Sequence, residues 1–230
     1  MTVTYNVCRG INKLACEDSA RIGGLTVNDK AGSVSIALPA VIALCDGVGG
    51  NAGGREASHF ICSNMCQDLR GLNLRLIEYG KSIGKPLMAT TLTALFFEDG
   101  KTSLAHAGNT RLYAYRGGFL EQITTDHTTY EWLKVRTDAA KLCNKSEIYC
   151  AFGGGNPAYI KSLSTETVFE RRMPKMLMLT TDGVHDFVSS DEMEEILSLK
   201  LPMEDKARRI TDLAAQNGSE DDRSVIILEM

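Results

Sequence analysis

The spacing of apolar positions changes period several times along the chain, and each change marks an element. Residues 33–44 read as an extended segment bent at Pro39. Its end, Val41-Ile42-Ala43-Leu44, is apolar without interruption, as in a strand covered on both faces. After Gly54 the period lengthens: Ala57, Phe60, Ile61, Asn64, Met65 and Leu69 recur at helical spacing. This predicts a helix over 55–70, and a second is predicted over 72–81. Between residues 89 and 124 the pattern is again that of strands: 91–97, a hairpin turn at Asp99-Gly100, 103–107, and 111–115 closed by Gly117-Gly118. Strands joined directly by short turns predict an antiparallel meander and not alternating β-α units. A helix over 128–144 containing Trp132 follows, and Gly153-Gly154-Gly155 breaks the chain. A short strand at 175–180, helices over 190–199 and 204–216, and a closing strand at 224–228 complete the pattern. The helices fall in two groups with the strands gathered between them, an α+β arrangement with helices outside a β centre.

Composition narrows the class. A chain of 230 residues, 43% hydrophobic and 23% charged, is expected to form one globular domain over 1–230 with a full core. A net charge of −4 gives no electrostatic reason to expect nucleic acid. No apolar run approaches the roughly 20 residues of a membrane span, and residues 1–8 lack the charged-then-apolar pattern of a secretory leader. Seven cysteines without a CxxC pair read as reduced thiols. Cys62 and Cys66 lie one helical turn apart, but no histidine has zinc-finger spacing to them. A cytoplasmic monomer that binds neither membrane nor nucleic acid is the expectation.

The candidate chemistry lies in aspartates placed at strand ends. Asp46 follows the run that ends at Cys45, Asp182 follows Met176-Leu177-Met178-Leu179-Thr180-Thr181, and Asp221-Asp222 precede the closing strand. Glu17 and Asp18 form a further acidic pair near the start. A carboxylate at the buried end of a strand loses hydration, and several converging there repel one another. A divalent cation relieves both effects, and an all-oxygen donor set suits Mg²⁺ or Mn²⁺. Taken singly, each Asp-Gly is an ordinary turn signal, and spacing alone does not bring Asp46, Asp182 and Asp221 together.

The order of motifs resembles the type 2C, metal-dependent (PPM) serine/threonine protein phosphatases in their compact bacterial form. Cys16-Glu17-Asp18-Ser19 resembles the family's Asn-Glu-Asp-Ser element, and Asp46-Gly47-Val48-Gly49-Gly50 its Asp-Gly-x-Gly-Gly signature. Met88-Ala89-Thr90-Thr91-Leu92, Gly108-Asn109-Thr110-Arg111, Thr124-Thr125-Asp126-His127 and Thr181-Asp182-Gly183 follow in family order, and Glu220-Asp221-Asp222-Arg223-Ser224-Val225 closes the series. The resemblance implies a four-layer α-β-β-α sandwich, two central antiparallel sheets flanked by helices, with a flap at about 129–147. It implies hydrolysis of phosphoserine and phosphothreonine in proteins by a water or hydroxide held between two Mn²⁺ or Mg²⁺ ions. The metal ligands carried over are Asp46, Gly47 through its carbonyl, Asp182 and Asp221, with Glu17 and Asp18 on metal-bound waters. Phosphoprotein substrates modified by a Ser/Thr kinase would be the partners, in a signalling role.

Departures from the pattern qualify these roles. Lys13 stands where the family has a phosphate-gripping arginine, keeping the charge but losing the bidentate fork. Cys16 replaces an asparagine. Asn109 replaces an aspartate and offers only a neutral oxygen, so a third metal site is expected to be weak or missing. Val48 stands where some relatives carry a histidine acid, and His127 is the other candidate for that role. These changes keep open a second reading, a catalytically weak or inactive module of the same fold that binds phosphorylated partners. Trp132 and Val135 of the flap have two readings, docking substrate or packing the flap to the body, and the second is the expectation.

Overall fold

The computed structural model describes residues 1–49, 52–134, 144, 146–170 and 173–230. The chain folds into two six-stranded sheets of antiparallel pairs and a small two-stranded one. The first sheet has the order β10 (Phe119–Gln122), β9 (Arg111–Arg116), β13 (Met176–Thr180), β14 (Arg223–Glu229), β1 (Thr2–Cys8), β4 (Lys30–Ser35). The second has the order β12 (Ser164–Phe169), β8 (Lys101–Ala107), β7 (Leu92–Glu98), β5 (Ala40–Cys45), β2 (Ser19–Ile22), β3 (Leu25–Val27). β6 (Ala89–Thr90) and β11 (Phe152–Gly153) form the small sheet.

The central strands are apolar at every position because both faces are covered. In β5, Ile42 and Leu44 enter the core between the sheets, where they meet Leu179, Ile226 and Leu228. Ala43 and Cys45 face the other way, into the cluster with α1 (Gly54–Ser63) and α2 (Leu69–Ser82). In β14, Val225 and Ile227 pack on α5 (Ser190–Ser198) and α6 (Met203–Gln216) through Met193, Leu197, Ala207 and Ile210. Helices, sheet, sheet, helices is the four-layer order expected from the resemblance. Each fully buried Leu or Ile in these layers contributes on the order of 2 kcal/mol.

Several expected boundaries differ. The segment 33–44 is not one bent strand: β4 lies in the first sheet and β5 in the second, and the chain crosses between them through Pro39. The helix expected over 55–70 stops at Ser63. Asn64 Nδ2 donates to the Phe60 carbonyl at 2.9 Å, and Asp68 caps a new helix by accepting from the Gly71 amide. The expected meander is interrupted too. β7 and β8 pair in one sheet, while β9 and β10 belong to the other, so the chain changes sheet at Gly108-Asn109-Thr110. Of the helix expected over 128–144, α3 (Thr129–Lys134) is described; Val135 and the rest of that span up to Cys143 lie outside the described residues, as does Gly50. α3 has no buried residue, and Trp132 is half exposed. α4 is the single turn Asp182–His185. Among the described residues no helix is long and apolar enough to cross a membrane.

Candidate functional site

Strand pairing brings the acidic residues to one end of the sandwich. Ser19 pairs with Cys45, so Asp18 and Asp46 leave the second sheet side by side. Thr180 pairs with Val225 and Cys8 with Arg223, so Asp182, Asp221, Asp222 and the loop after β1 gather at the same end of the first sheet. Asp18 ties the two sheets together: its Oδ2 accepts from Thr181 Oγ1 at 3.0 Å and from Ser224 Oγ at 2.6 Å. Close backbone approaches make the convergence possible. A Cβ on Gly183 would lie 2.0 Å from the Asp222 carbonyl oxygen, and one on Gly47 would lie 2.5 Å from the Gly54 carbonyl carbon at the start of α1.

The carboxyls feel one another strongly. Burial, then the charges of Asp18, Asp182 and Asp221, push the Asp46 carboxyl well above its ordinary range, and it is hydrogen-bonded to Asp182. Burial and the Asp221 charge raise Asp182, against the stabilising bond from Asn109 Nδ2 at 2.9 Å. Burial and the Asp222 and Asp182 charges push Asp18 up to about 8. Burial also raises Glu17, with Lys13 acting against it. Burial and like charge thus act together on neighbouring carboxyls, and a cation among them would relieve both.

Backbone and hydroxyl contacts fix the site's framework. The Asp46 amide donates to Thr91 Oγ1 at 2.9 Å, and the Asp46 carbonyl accepts from the Thr91 amide and Thr90 Oγ1, each at 2.8 Å. The Gly47 amide donates to the Glu17 carbonyl at 3.2 Å, which also accepts from Ser58 Oγ at 2.5 Å. Asp182 and Asp221 open onto a hollow of about 390 Å³ that Ser146 also borders.

Lys13 is drawn into the acidic end. Its ammonium bonds Asp221, lies 3.1 Å from Asp222 Oδ2 and stands 3.6 Å from Glu17 Oε2. Burial alone would weaken its positive charge, but the Asp221 bond and the two aspartate charges hold its pKa above the ordinary lysine value. Asp222, Thr181 and Ser224 are the residues sequence reasoning missed as functional. A hydrophilic residue kept at a strand end, as Thr181 and Ser224 are, was the only signal for the last two.

The His127 ring is held by backbone and hydroxyl partners. It is buried, with Nδ1 accepting from the Gly108 amide at 3.3 Å, Nε2 3.4 Å from Ser164 Oγ, and the His106 ring 4.8 Å away. His185 is likewise buried and bonded to Thr180 Oγ1 at 2.8 Å. Cys62 Sγ donates to the Ser19 carbonyl at 3.3 Å, an ordinary core thiol.

The donor set fits a hard divalent cation. All candidate donors are oxygens, and Asp18 Oδ1 and Asn109 Oδ1 are buried with no hydrogen-bond partner. The cage is not preset. Among the described residues no group of three or more His, Cys, Asp or Glu side chains stands ready-spaced around an ion. The Asp46–Asp182 bond and the Lys13–Asp221 pair must open for these oxygens to close on one.

The chain is similar to named proteins across most of its length. The serine/threonine protein phosphatase PstP of Mycobacterium tuberculosis is 28% identical over 212 residues, 83% of this chain. The chain spans only 40% of that relative's length. The serine/threonine phosphatase stp of Listeria monocytogenes is 25% identical over 215 residues, 82% of this chain and 84% of the relative. Among solved structures, the Mycobacterium tuberculosis phosphatase PstP/Ppp superposes with a TM-score of 0.78 at 26% identity, covering 100% of this chain and 99% of that one. Stp1 of Staphylococcus aureus shares the fold with a TM-score of 0.78 at 21% identity, covering 99% of this chain and 94% of that one. No family model matches the chain.

Proposed function

We propose that this chain, a member of the type 2C family of serine/threonine protein phosphatases, hydrolyses phosphoserine and phosphothreonine esters in proteins with the help of two Mn²⁺ or Mg²⁺ ions. The observation that carries the reading is the meeting of Asp18, Asp46, Asp182 and Asp221 from separate strand ends, each of the first three held above its ordinary pKa. Asp46, Asp182, Asp221 and the Gly47 carbonyl hold the cations. Glu17 and Asp18 accept hydrogen bonds from the waters around them. When bound, the cations lower the pKa of the attacking water and offset phosphoryl charge.

The chain's own groups do the rest. Thr181 and Ser224 aim the Asp18 carboxyl, and their bonds to Oδ2 leave Oδ1 turned to the site. Asn109 orients Asp182. Lys13 supplies a cationic grip for the substrate phosphate at the entrance to the carboxyl cluster. The hollow beside Asp182 and Asp221 admits an extended side chain such as a phosphorylated serine or threonine. Proteins phosphorylated by a Ser/Thr kinase are the substrates, and the setting is cytoplasmic signalling.

Hydrolysis of p-nitrophenyl phosphate and of a phosphothreonine peptide, measured with Mn²⁺, tests the proposal. Turnover is expected, with loss on chelation and a fall of at least about a hundredfold in Asp46→Ala or Asp182→Ala. Undiminished activity in Asp182→Ala would remove that residue from the site. Tight binding of Mn²⁺ and phosphopeptide without turnover would make the chain a capture module instead.

A further inference from the structure

Asp222 does not belong to the proposed ligand set, yet its side chain makes three hydrogen bonds to the loop that leaves β1. Its side chain is 1% exposed. Oδ1 accepts from the Gly10 amide at 2.7 Å, and Oδ2 accepts from the Glu17 amide at 2.7 Å and from Lys13 Nζ at 3.1 Å. Gly10 and Glu17 stand at opposite ends of the loop that leaves β1, and Lys13 lies between them. One carboxylate therefore fastens both ends of this loop and its only lysine.

The neighbouring contacts show that the loop is built against this residue. Arg223 follows Asp222 and pairs with Cys8 at the end of β1. Its guanidinium donates to the carbonyls of Arg9, Ser219 and Asp221. A Cβ on Gly10 would lie 2.4 Å from the Glu220 carbonyl oxygen, so only glycine allows the loop to lie this close. Asn12 completes the turn with φ of 69°.

We propose that Asp222 is a positioning residue for substrate phosphate: it acts through Lys13, by holding the loop so that the ammonium stays at the entrance to the carboxyl cluster when its bond to Asp221 opens. This rests on the proposed phosphatase function. The chemistry demands an acid at this position. Both carboxylate oxygens accept from backbone N–H groups on opposite sides, and an asparagine has one acceptor and turns an N–H₂ towards the other amide. The charge also matters, because an anion orders an ammonium more tightly than a neutral amide does.

The test is a double-mutant cycle between Asp222→Asn and Lys13→Met on the full chain loaded with Mn²⁺, with inorganic phosphate as the probe in a calorimeter. Mn²⁺ affinity and thermal unfolding are measured first on each variant. Mn²⁺ affinity is expected to stay within about threefold in Asp222→Asn. Each single change is expected to weaken phosphate about tenfold, as loss of one charge-assisted contact does. The double variant should bind phosphate no more weakly than the weaker single, because both changes act through the same ammonium. Phosphate binding by Asp222→Asn equal to or tighter than wild type overturns the assignment. So does a double variant whose loss is the product of the two singles, or loss of Mn²⁺ by Asp222→Asn. Wild-type protein that binds no phosphate overturns it together with the proposed function. Wild-type protein that binds phosphate but turns over no phosphopeptide removes the function and leaves the positioning role standing.

Discussion

Replacing Asp18 by asparagine should make the metal-free protein more stable as pH rises, relative to wild type. Asp18 is completely buried, and its carboxyl is pushed from 3.8 to about 8 by burial first and then by the charges of Asp222 and Asp182. A folded-state pKa above the unfolded one means that the group's stabilisation is full below pH about 4 and is lost as pH climbs towards 8. Each pH unit in that window removes about 1.4 kcal/mol, so the wild type loses about 3 kcal/mol through this group between pH 5 and 7.5. Asparagine imitates the neutral carboxyl. It keeps an acceptor for Thr181 and Ser224 but sets an N–H₂ where Oδ1 has no partner. That substitution costs about 1–3 kcal/mol independent of pH, which offsets the curve without changing its slope. Burial lowers His106, to about 3, and lowers His127 and His185. Their contributions run the opposite way, being lost as pH falls, but they are common to both proteins and cancel in the difference. Urea unfolding of wild type and Asp18→Asn in chelator, at half-unit steps from pH 5 to 7.5, gives the difference directly. It should grow by at least about 3 kcal/mol across the series, because the variant also frees Asp46 from the Asp18 charge, and saturating Mn²⁺ should shrink it by stabilising the wild type selectively. A difference that stays flat with pH would refute the claim that burial and the neighbouring charges raise this carboxyl's pKa.

Three further outcomes follow from the same geometry. Asn109→Asp sets another carboxylate beside Asp182, 2.9 Å from where the amide now donates; the metal-free protein should lose about 1–2 kcal/mol near neutral pH, and calorimetry should detect additional bound Mn²⁺. Gly183→Ala forces a methyl to within 2.0 Å of the Asp222 carbonyl; about 1–3 kcal/mol of stability and most of the Mn²⁺ affinity should go together in unfolding and titration experiments. Arg111 and Asp126 form a two-pronged pair, with Nη2 to Oδ2 at 2.7 Å and Nε to Oδ1 at 3.1 Å, and Asp126 lies three residues before α3. Arg111→Met leaves a mostly buried aspartate unpaired and should lower stability by about 3 kcal/mol in urea.

The strand-end aspartates were legible in the sequence because a strand covered on both faces is continuously apolar, and its first polar residue marks the rim. Val41 to Cys45 runs straight into Asp46, and Met176 to Leu179 gives way to Thr180-Thr181 and then to Asp182. Legibility failed where a residue's role depends on which strands become neighbours. Asp222 looks like the spare half of an acidic pair until β1 is laid beside β14, which puts the loop after Cys8 against Arg223 across more than two hundred positions of chain. The break between α1 and α2 was missed for a local reason: Asn64 and Asp68 suit a helix's polar face as well as they suit its caps, and only the bonds to Phe60 and Gly71 decide between the two. The split of residues 33–44 was missed because an apolar run does not say which sheet receives it. Ligand candidates of this kind are thus local facts of a strand end, whereas the groups that aim them are facts of strand order. A search for positioning residues in a fold of crossed sheets must therefore begin from the pairing register, and here it leads from Cys8 to Arg223, to Asp222 and so to Lys13.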